Sequence, residues 1–217
     1  MRSNLLGMCS AVAAVAVAGL ASAGVVIFDF TTNVTSPAEG VVNGSNPFNN
    51  WGTGNAREST TTSASTSGGA ITIANNEWAI VTPPPRGSFY VYANTSVNLS
   101  GITAIEFNVT AHSGAAADWT LSVLDKNFNG QEFYLRNTSG TGTKSFSTLG
   151  GNPNLDWSKV YAIDLQIVTT DNGPGSPRFP ASSFTFNGMT AVAAVPAPGA
   201  AALIGVVGLI NTRRRRN

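Results

Sequence analysis

The sequence predicts an all-β protein, a β-sandwich carried between two terminal addresses. Three observations predict it. Gly, Ser, Thr and Asn are abundant and only 11% of residues are charged, a composition that fills turns and half-buried strands rather than helices. Short runs of period-two alternation recur through the middle of the chain, separated by Gly, Asn, Ser and Pro clusters. No helical period lies between them. At 217 residues there is room for one domain with a sizeable core, because a chain of this size buries roughly 70% of its unfolded surface.

The first element is an export signal over residues 1–23. Arg2 gives a positive start, residues 5–20 form an apolar run, and Ala21-Ser22-Ala23 is a small-residue cleavage site. Signal peptidase and the Sec export machinery are the partners this implies, with Ala21, Ala23 and Gly24 at the cut and the mature chain starting near Gly24. Cys9 leaves with the signal. The remaining chain then has no disulfide, no thiolate nucleophile and no thiolate metal ligand.

The body, residues 24–190, follows. Alternation predicts ten strands, at 25–31, 70–74, 77–82, 88–93, 102–110, 118–124, 132–136, 144–149, 160–168 and 183–187. In ITAIEFNV, Ile105, Phe107 and Val109 share one face while Glu106 and Asn108 share the other. Phe184 and Phe186 alternate in the same way. Residues 34–69 break the pattern. They are rich in Asn, Gly, Ser and Thr, and STTTSASTSGG at 59–69 is low in complexity. The reading there is a long irregular surface loop. A second loop, 171–180, is interrupted by three prolines. Ten short strands without helices read as a sandwich.

The last element is residues 195–217. Residues 199–210 form a short apolar segment, about 18 Å long as a helix against a hydrocarbon core of about 30 Å. Pro196 and Pro198 stop the helix on one side. Arg213, Arg214, Arg215 and Arg216 follow, and the positive-inside bias keeps them in the cytoplasm. The expected topology is body outside and arginines inside, held by a weak transmembrane anchor.

Charge narrows the partners of the body. Between Gly24 and Val195 there are seven basic residues against eleven acidic ones, a net −4. No basic stripe is present, which argues against a nucleic-acid partner. The six N-x-S/T sequons are compositional in so Asn-, Ser- and Thr-rich a chain.

Few residues propose chemistry. His112 is the single histidine and reads as a solvated turn residue after a strand. A glycosidase would need two carboxylates facing each other, and no local motif proposes a pair among the eleven acids. Asp125, Asn127 and Asn129 have the spacing of a calcium loop, but Arg136 stands where that loop needs glutamate. The preferred reading is a hairpin turn ending in Asn129-Gly130. No cofactor and no metal are expected, and no structural calcium is supported. Trp119 and Trp157 read as core. Tyr90 and Tyr92 fall on one face of their strand, with Phe89 and Val91 on the other. They are the candidate pair for stacking on a sugar ring.

Val195, Pro196, Ala197, Pro198 and Gly199, the short Ala/Gly/Leu/Val segment, the terminal arginines and the N-terminal signal together resemble the PEP-CTERM sorting domain. Ala197 stands where that family has glutamate. The resemblance implies a sorting enzyme of the exosortase type as partner and delivery to the cell surface or extracellular matrix. In the body, residues 96–107, which run through Leu99-Ser100-Gly101, resemble an entering strand of galactose-binding-like jelly rolls. Residues 156–167 and 184–189 resemble their closing strands. That resemblance implies a jelly-roll-like sandwich, and carbohydrate, such as extracellular polysaccharide, bound on a sheet face or at the loops.

The sequence reading is therefore an exported, tagged surface or matrix protein with a non-catalytic, adhesive or carbohydrate-binding body. The alternatives are a small jelly-roll glycoside hydrolase or lyase, or a permanently anchored surface protein.

Overall fold

The fold is described from a computed structural model. The structure describes residues 25–29, 39–41, 48, 50–56, 60–65, 69–79, 84, 86–171, 173 and 178–193, all within the unit Ser22–Ala194. The export signal with Cys9, Ala21, Ala23 and Gly24, the sorting motif from Val195 to Gly199, the segment 199–210 and Arg213 to Arg216 lie outside the described residues. Among the described residues no helix is long and apolar enough to cross a membrane.

Twelve strands are described: β1 (Val25–Asp29), β2 (Glu39–Val41), β3 (Asn50–Ala56), β4 (Thr60–Ser65), β5 (Ala70–Asn75), β6 (Arg86–Val97), β7 (Ile102–Gly114), β8 (Ala117–Asp125), β9 (Gly130–Thr138), β10 (Gly142–Ser147), β11 (Val160–Thr169) and β12 (Ser182–Ala193). One 3-10 turn, Trp157–Lys159, leads into β11. The strands form two six-stranded antiparallel sheets. The first has the order β10-β7-β12-β5-β4, with β1 also paired to β12; the second runs β2-β3-β6-β11-β8-β9. The chain changes sheet repeatedly between β5 and β12, so the two layers are stitched by long-range pairings.

Alternation builds the core between the sheets. Ile105, Phe107 and Val109 of β7 are buried, as are Trp119, Leu121 and Val123 of β8 and Ile163, Leu165 and Ile167 of β11. Rings from opposite layers meet at the centre. Phe107 lies 6.2 Å from Trp119, Phe184 5.1 Å from Trp119, and Phe186 5.9 Å from Phe89. Most of these pairs are tilted or edge-on, the arrangement that aromatic quadrupoles favour. Buried polar contacts cross the layers: the hydroxyls of Thr169 and Ser182 are 2.9 Å apart, and Asn75 Nδ2 donates to the Ile167 carbonyl at 3.2 Å.

Several irregularities reset the alternation, and those in β12, β7 and β11 bear on the residues discussed below. In β12 the pairing to β7 slips between Phe186 and Met189. The extra residue lets Phe184, Phe186, Met189 and Ala191 all face inward. In β7 a slip at Thr110 turns His112 onto the core side, where its ring lies 4.5 Å from Phe184 and its Nε2 3.2 Å from the Ala115 carbonyl. His112 is therefore a half-buried strand residue and not a solvated turn residue. In β11 the pairing to β8 slips at Tyr161, so Tyr161 and Ala162 both face outward.

Two further expectations are corrected. Residues 34–69 are not one irregular loop, because β2, β3 and β4 lie there. Trp51 of β3 is fully buried and anchors that strand, and the Thr-rich β4 pairs along β5 from Thr60 to Ser65. β-branched threonine suits a pleated edge even in a low-complexity run. Of the strand expected at 77–82 the described residues are 77–79, and they hold an isolated bridge between Trp78 and Phe179. The three prolines at 83–85 cannot donate to a ladder. The other strands fall where alternation places them, with ends shifted by a few residues. β6, β7 and β12 run longer than expected because their partners in the sheets continue alongside.

Candidate functional site

The two outward faces differ. On the first sheet the outward positions carry Thr72, Thr185, Glu106 and Asn108, and Thr72 and Thr185 share a 2.8 Å hydroxyl contact. Among its described outward residues none is aromatic. The second sheet turns Tyr90, Tyr92, Tyr161 and Tyr134 outward.

Register explains the layout. Asp164 of β11 lies between Tyr90 of β6 and Ser122 of β8, and Ser122 faces Glu132 of β9. One row over, Gln166 lies between Ser88 and Thr120, and Thr120 faces Tyr134. Tyr90 and Tyr92 are two residues apart on β6, so their rings project side by side, stacked 6.3 Å apart with 27° between planes. The slip in β11 brings Tyr161 to within 6.5 Å of Tyr92.

Tyr90 lies over Gly52, its cross-strand partner on β3. A Cβ at position 52 would sit inside the Tyr90 ring, 2.6 Å from Cε2. The flat lie of that ring therefore depends on the missing side chain. This is the close approach that glycine permits within a strand.

A polar line crosses the face beside the rings. Arg86 Nη1 donates to Gln166 Oε1 at 2.9 Å, and Gln166 Nε2 donates to Asp164 Oδ2 at 2.8 Å. Asp164 Oδ1 is buried with no hydrogen-bond partner in the protein. Burial pushes the Asp164 carboxyl above the usual carboxylate range, against the opposing pull of Gln166 and Arg86. A buried carboxyl oxygen without a donor disfavours the ionised form.

At the far edge of the sheet, Tyr134 Oη donates to Glu132 Oε2 and the Arg136 guanidinium lies 4.8 Å over the Tyr134 ring. Arg136 also pairs with Asp118 at 2.9 Å. Arg86 and Arg136 are thus already bonded to groups within the chain.

The β8–β9 turn closes the other end. Asp125 is buried. Its Oδ1 accepts from the backbone of Asn127 and Asn129 at 2.7 and 3.0 Å. Its Oδ2 accepts from Asn129 Nδ2 at 3.0 Å and from the Asp156 backbone at 3.1 Å. The turn expected from Asn129-Gly130 is therefore built around a carboxylate. The Asn129 amide, followed by the backbone donors of Asp156, Asn129 and Asn127, holds that carboxyl down at about 2. A carboxylate with a lowered native pKa contributes stability above its unfolded pKa and loses it as pH falls towards the native one. The melting temperature should fall between about pH 4 and pH 2. In Asp125→Asn the neutral-pH melting temperature should drop and this acid-dependent fall should shrink. Superimposable pH–stability curves for the two proteins, measured by thermal denaturation, would contradict the clamp.

Of the residues the sequence singled out, Tyr90 and Tyr92 lie together on the outward face as expected. Trp119 is core, and Trp157 is half-buried against Phe133 at 6.2 Å. Sequence reasoning missed Asp164, Gln166, Arg86 and Phe128. The alternation Ile163, Leu165, Ile167 marks Asp164 and Gln166 as outward, but only pairing shows that they lie next to the tyrosines. Among the described residues, no group of three or more His, Cys, Asp or Glu could hold a metal ion.

No family model matches the chain, and no curated protein matches it. Solved structures do. An exo-β-agarase matches at 11% identity and a TM-score of 0.50, over 79% of this chain and 25% of that one. A family 11 carbohydrate-binding module of the cellulosomal cellulase Lic26A-Cel5E of Clostridium thermocellum matches at 12% identity and a TM-score of 0.44, over 79% of this chain and 98% of that one. A low-affinity xylan-binding module, CBM86, from Roseburia intestinalis matches at 10% identity and a TM-score of 0.35, over 66% of this chain and 96% of that one. The chain thus spans about a quarter of the agarase and nearly the whole of each module. At this identity the likeness to the agarase is one of fold alone.

Proposed function

We propose that the body is a non-catalytic carbohydrate-binding sandwich whose ligand lies on the outward face of the second sheet. The observation that carries this is the outward row of Tyr90, Tyr92 and Tyr161. Sugar rings present apolar C–H faces to aromatic rings and hydroxyl donors at their edges, and this face offers the tyrosine rings for the first and the exposed Glu132 carboxylate for the second. The ligand is a neutral glycan. Asp164 and Glu132 put carboxylates on this face, which repel uronates and sulfates, while Arg86 and Arg136 are already engaged by Gln166 and Asp118.

The arrangement of carboxylates supports binding over hydrolysis. Asp164 and Glu132 stand in one row with Ser122 between them, about 10 Å apart at about 4.8 Å per strand. Both project the same way from one sheet, and Glu132 is held by Tyr134. A glycosidase sets its two carboxyl groups on either side of the scissile bond.

Export and sorting belong to the same proposal. The signal at 1–23 and the resemblance of Val195 to Asn217 to the PEP-CTERM domain support delivery of this face to the cell surface or matrix. Mass spectrometry of secreted material tests processing: an intact tail through Asn217 on every recovered molecule would exclude it.

Binding is tested with the full-length chain in mild detergent on a panel of neutral and acidic polysaccharides. Retention by at least one neutral glycan and by none of the acidic ones is expected, and retention by none removes the proposal. Gly52→Val should weaken binding to the retained glycan about tenfold, or ~1.4 kcal/mol, because the new side chain lifts the Tyr90 ring. The fold should persist, since valine suits a strand. A folded Gly52→Val with wild-type affinity in calorimetry would show that the ring does not contact sugar.

A further inference from the structure

Phe128 is an oddity that packing does not explain. It is 78% exposed. Its φ is 61°, in the left-handed region that an aromatic residue avoids. Neither its burial nor a turn preference repays that conformation, since Phe is not among the residues that tolerate it. The Asp125 carboxylate imposes it by taking the backbone N–H groups on either side, Asn127 and Asn129. The result is a ring held out from the turn, 6.5 Å from Tyr161 and edge-on to it.

Tyr161 arrives there by a different device, the slip in β11. Two independent departures from regular backbone thus bring two rings together. Such departures cluster at functional positions. They extend the row from Tyr90 through Tyr92 and Tyr161 to Phe128, in steps of 6.3, 6.5 and 6.5 Å. The planes turn as the row proceeds, with successive angles of 27°, 46° and 66°.

We propose that this row is a single track, that Phe128 is its outer stacking position, and that its ligand is one soluble polysaccharide chain spanning several sugars. The proposal rests on the carbohydrate-binding reading above and specifies its ligand. One sugar ring covers one aromatic ring, so four rings in succession suit successive sugars. Planes that turn suit a chain that twists along its length. A crystalline polysaccharide surface is flat and would need the rings coplanar. Asp125 is a positioning residue here, acting through the turn.

The test uses the full-length chain in mild detergent and the neutral glycan retained from the panel, as disaccharide, tetrasaccharide and hexasaccharide, in calorimetry. Microcrystalline cellulose serves as the flat-surface probe. Affinity should rise with length in the wild type, and cellulose should not be retained. Phe128→Gly removes the ring and suits the left-handed backbone, so its melting temperature should be equal to the wild type or higher. Its affinity for the hexasaccharide should fall about three- to tenfold, while its affinity for the disaccharide should not change. Equal affinity for all lengths, wild-type hexasaccharide binding by Phe128→Gly, or retention on cellulose would each overturn the track. If one of these results appears while Tyr92→Ala still weakens binding, the carbohydrate-binding reading survives and only the track is lost. If no glycan binds the wild type, both fall.

Discussion

Phe186→Ala should lower the stability of the protein by about 3–5 kcal/mol, the range for emptying a buried aromatic site. Phe186 is fully buried in β12. Its ring meets Phe107 at 5.4 Å, Phe89 at 5.9 Å and Trp119 at 6.3 Å. Phe107 belongs to its own sheet, while Phe89 and Trp119 belong to the other. Removing the ring therefore opens a cavity at the seam of the two layers. The neighbouring rings are large and rigid, so they collapse into it poorly. At about 2–4 °C per kcal/mol for a domain of this size, the melting temperature should drop by about 10 °C or more. Denaturant titration measures the change directly, with an unchanged slope if the transition remains two-state. A loss below about 1 kcal/mol would mean that the sheets do not meet at Phe186.

Tyr92→Ala should weaken glycan binding about 30-fold, or ~2 kcal/mol, with little effect on stability. Tyr92 is the central ring of the row, with Tyr90 on one side and Tyr161 on the other. Its loss breaks the platform into two separated parts. The side chain is outward and half-buried, so the core beneath it, Val91 and Ile163, is untouched. The measurement pairs calorimetry on the retained glycan with a thermal melt of the same sample. Wild-type affinity in a folded Tyr92→Ala would move the ligand away from this face altogether. Lost affinity together with a large loss of stability would instead make Tyr92 a packing residue.

The two experiments separate the roles of inward and outward residues on strands that look alike in sequence. In β6, Phe89 and Val91 face the core, and Tyr90 and Tyr92 face out. Period two alone assigns those sides, which is why this pair was legible before any pairing was known. Asp164 was legible as an outward residue for the same reason. Its importance was not legible, because an outward aspartate is ordinary unless its neighbours are known. It sits beside Tyr90 only because β11 pairs with β6 across more than seventy residues of chain.

Local irregularity limited the reading elsewhere. His112 follows a clean alternation and looked as though it had left the strand. A one-residue slip at Thr110 carries β7 onward and turns the imidazole inward. The Thr- and Ser-rich run at 60–65 looked unstructured because it offers no apolar face. It is a strand because β5 lies alongside to accept its backbone.

Local physics in the chain itself determined the layered all-β class, the alternating core, the Asn129-Gly130 turn and the side on which Tyr90 and Tyr92 lie. Composition and side-chain period act within a few residues and need no partner. Tertiary structure decided what lies next to what: Tyr161 beside Tyr92, Asp164 beside Tyr90, Gly52 beneath the Tyr90 ring and Phe128 at the end of the row. Those neighbours come from hydrogen-bond register between distant strands, and a slip of one residue moves a side chain to the opposite face.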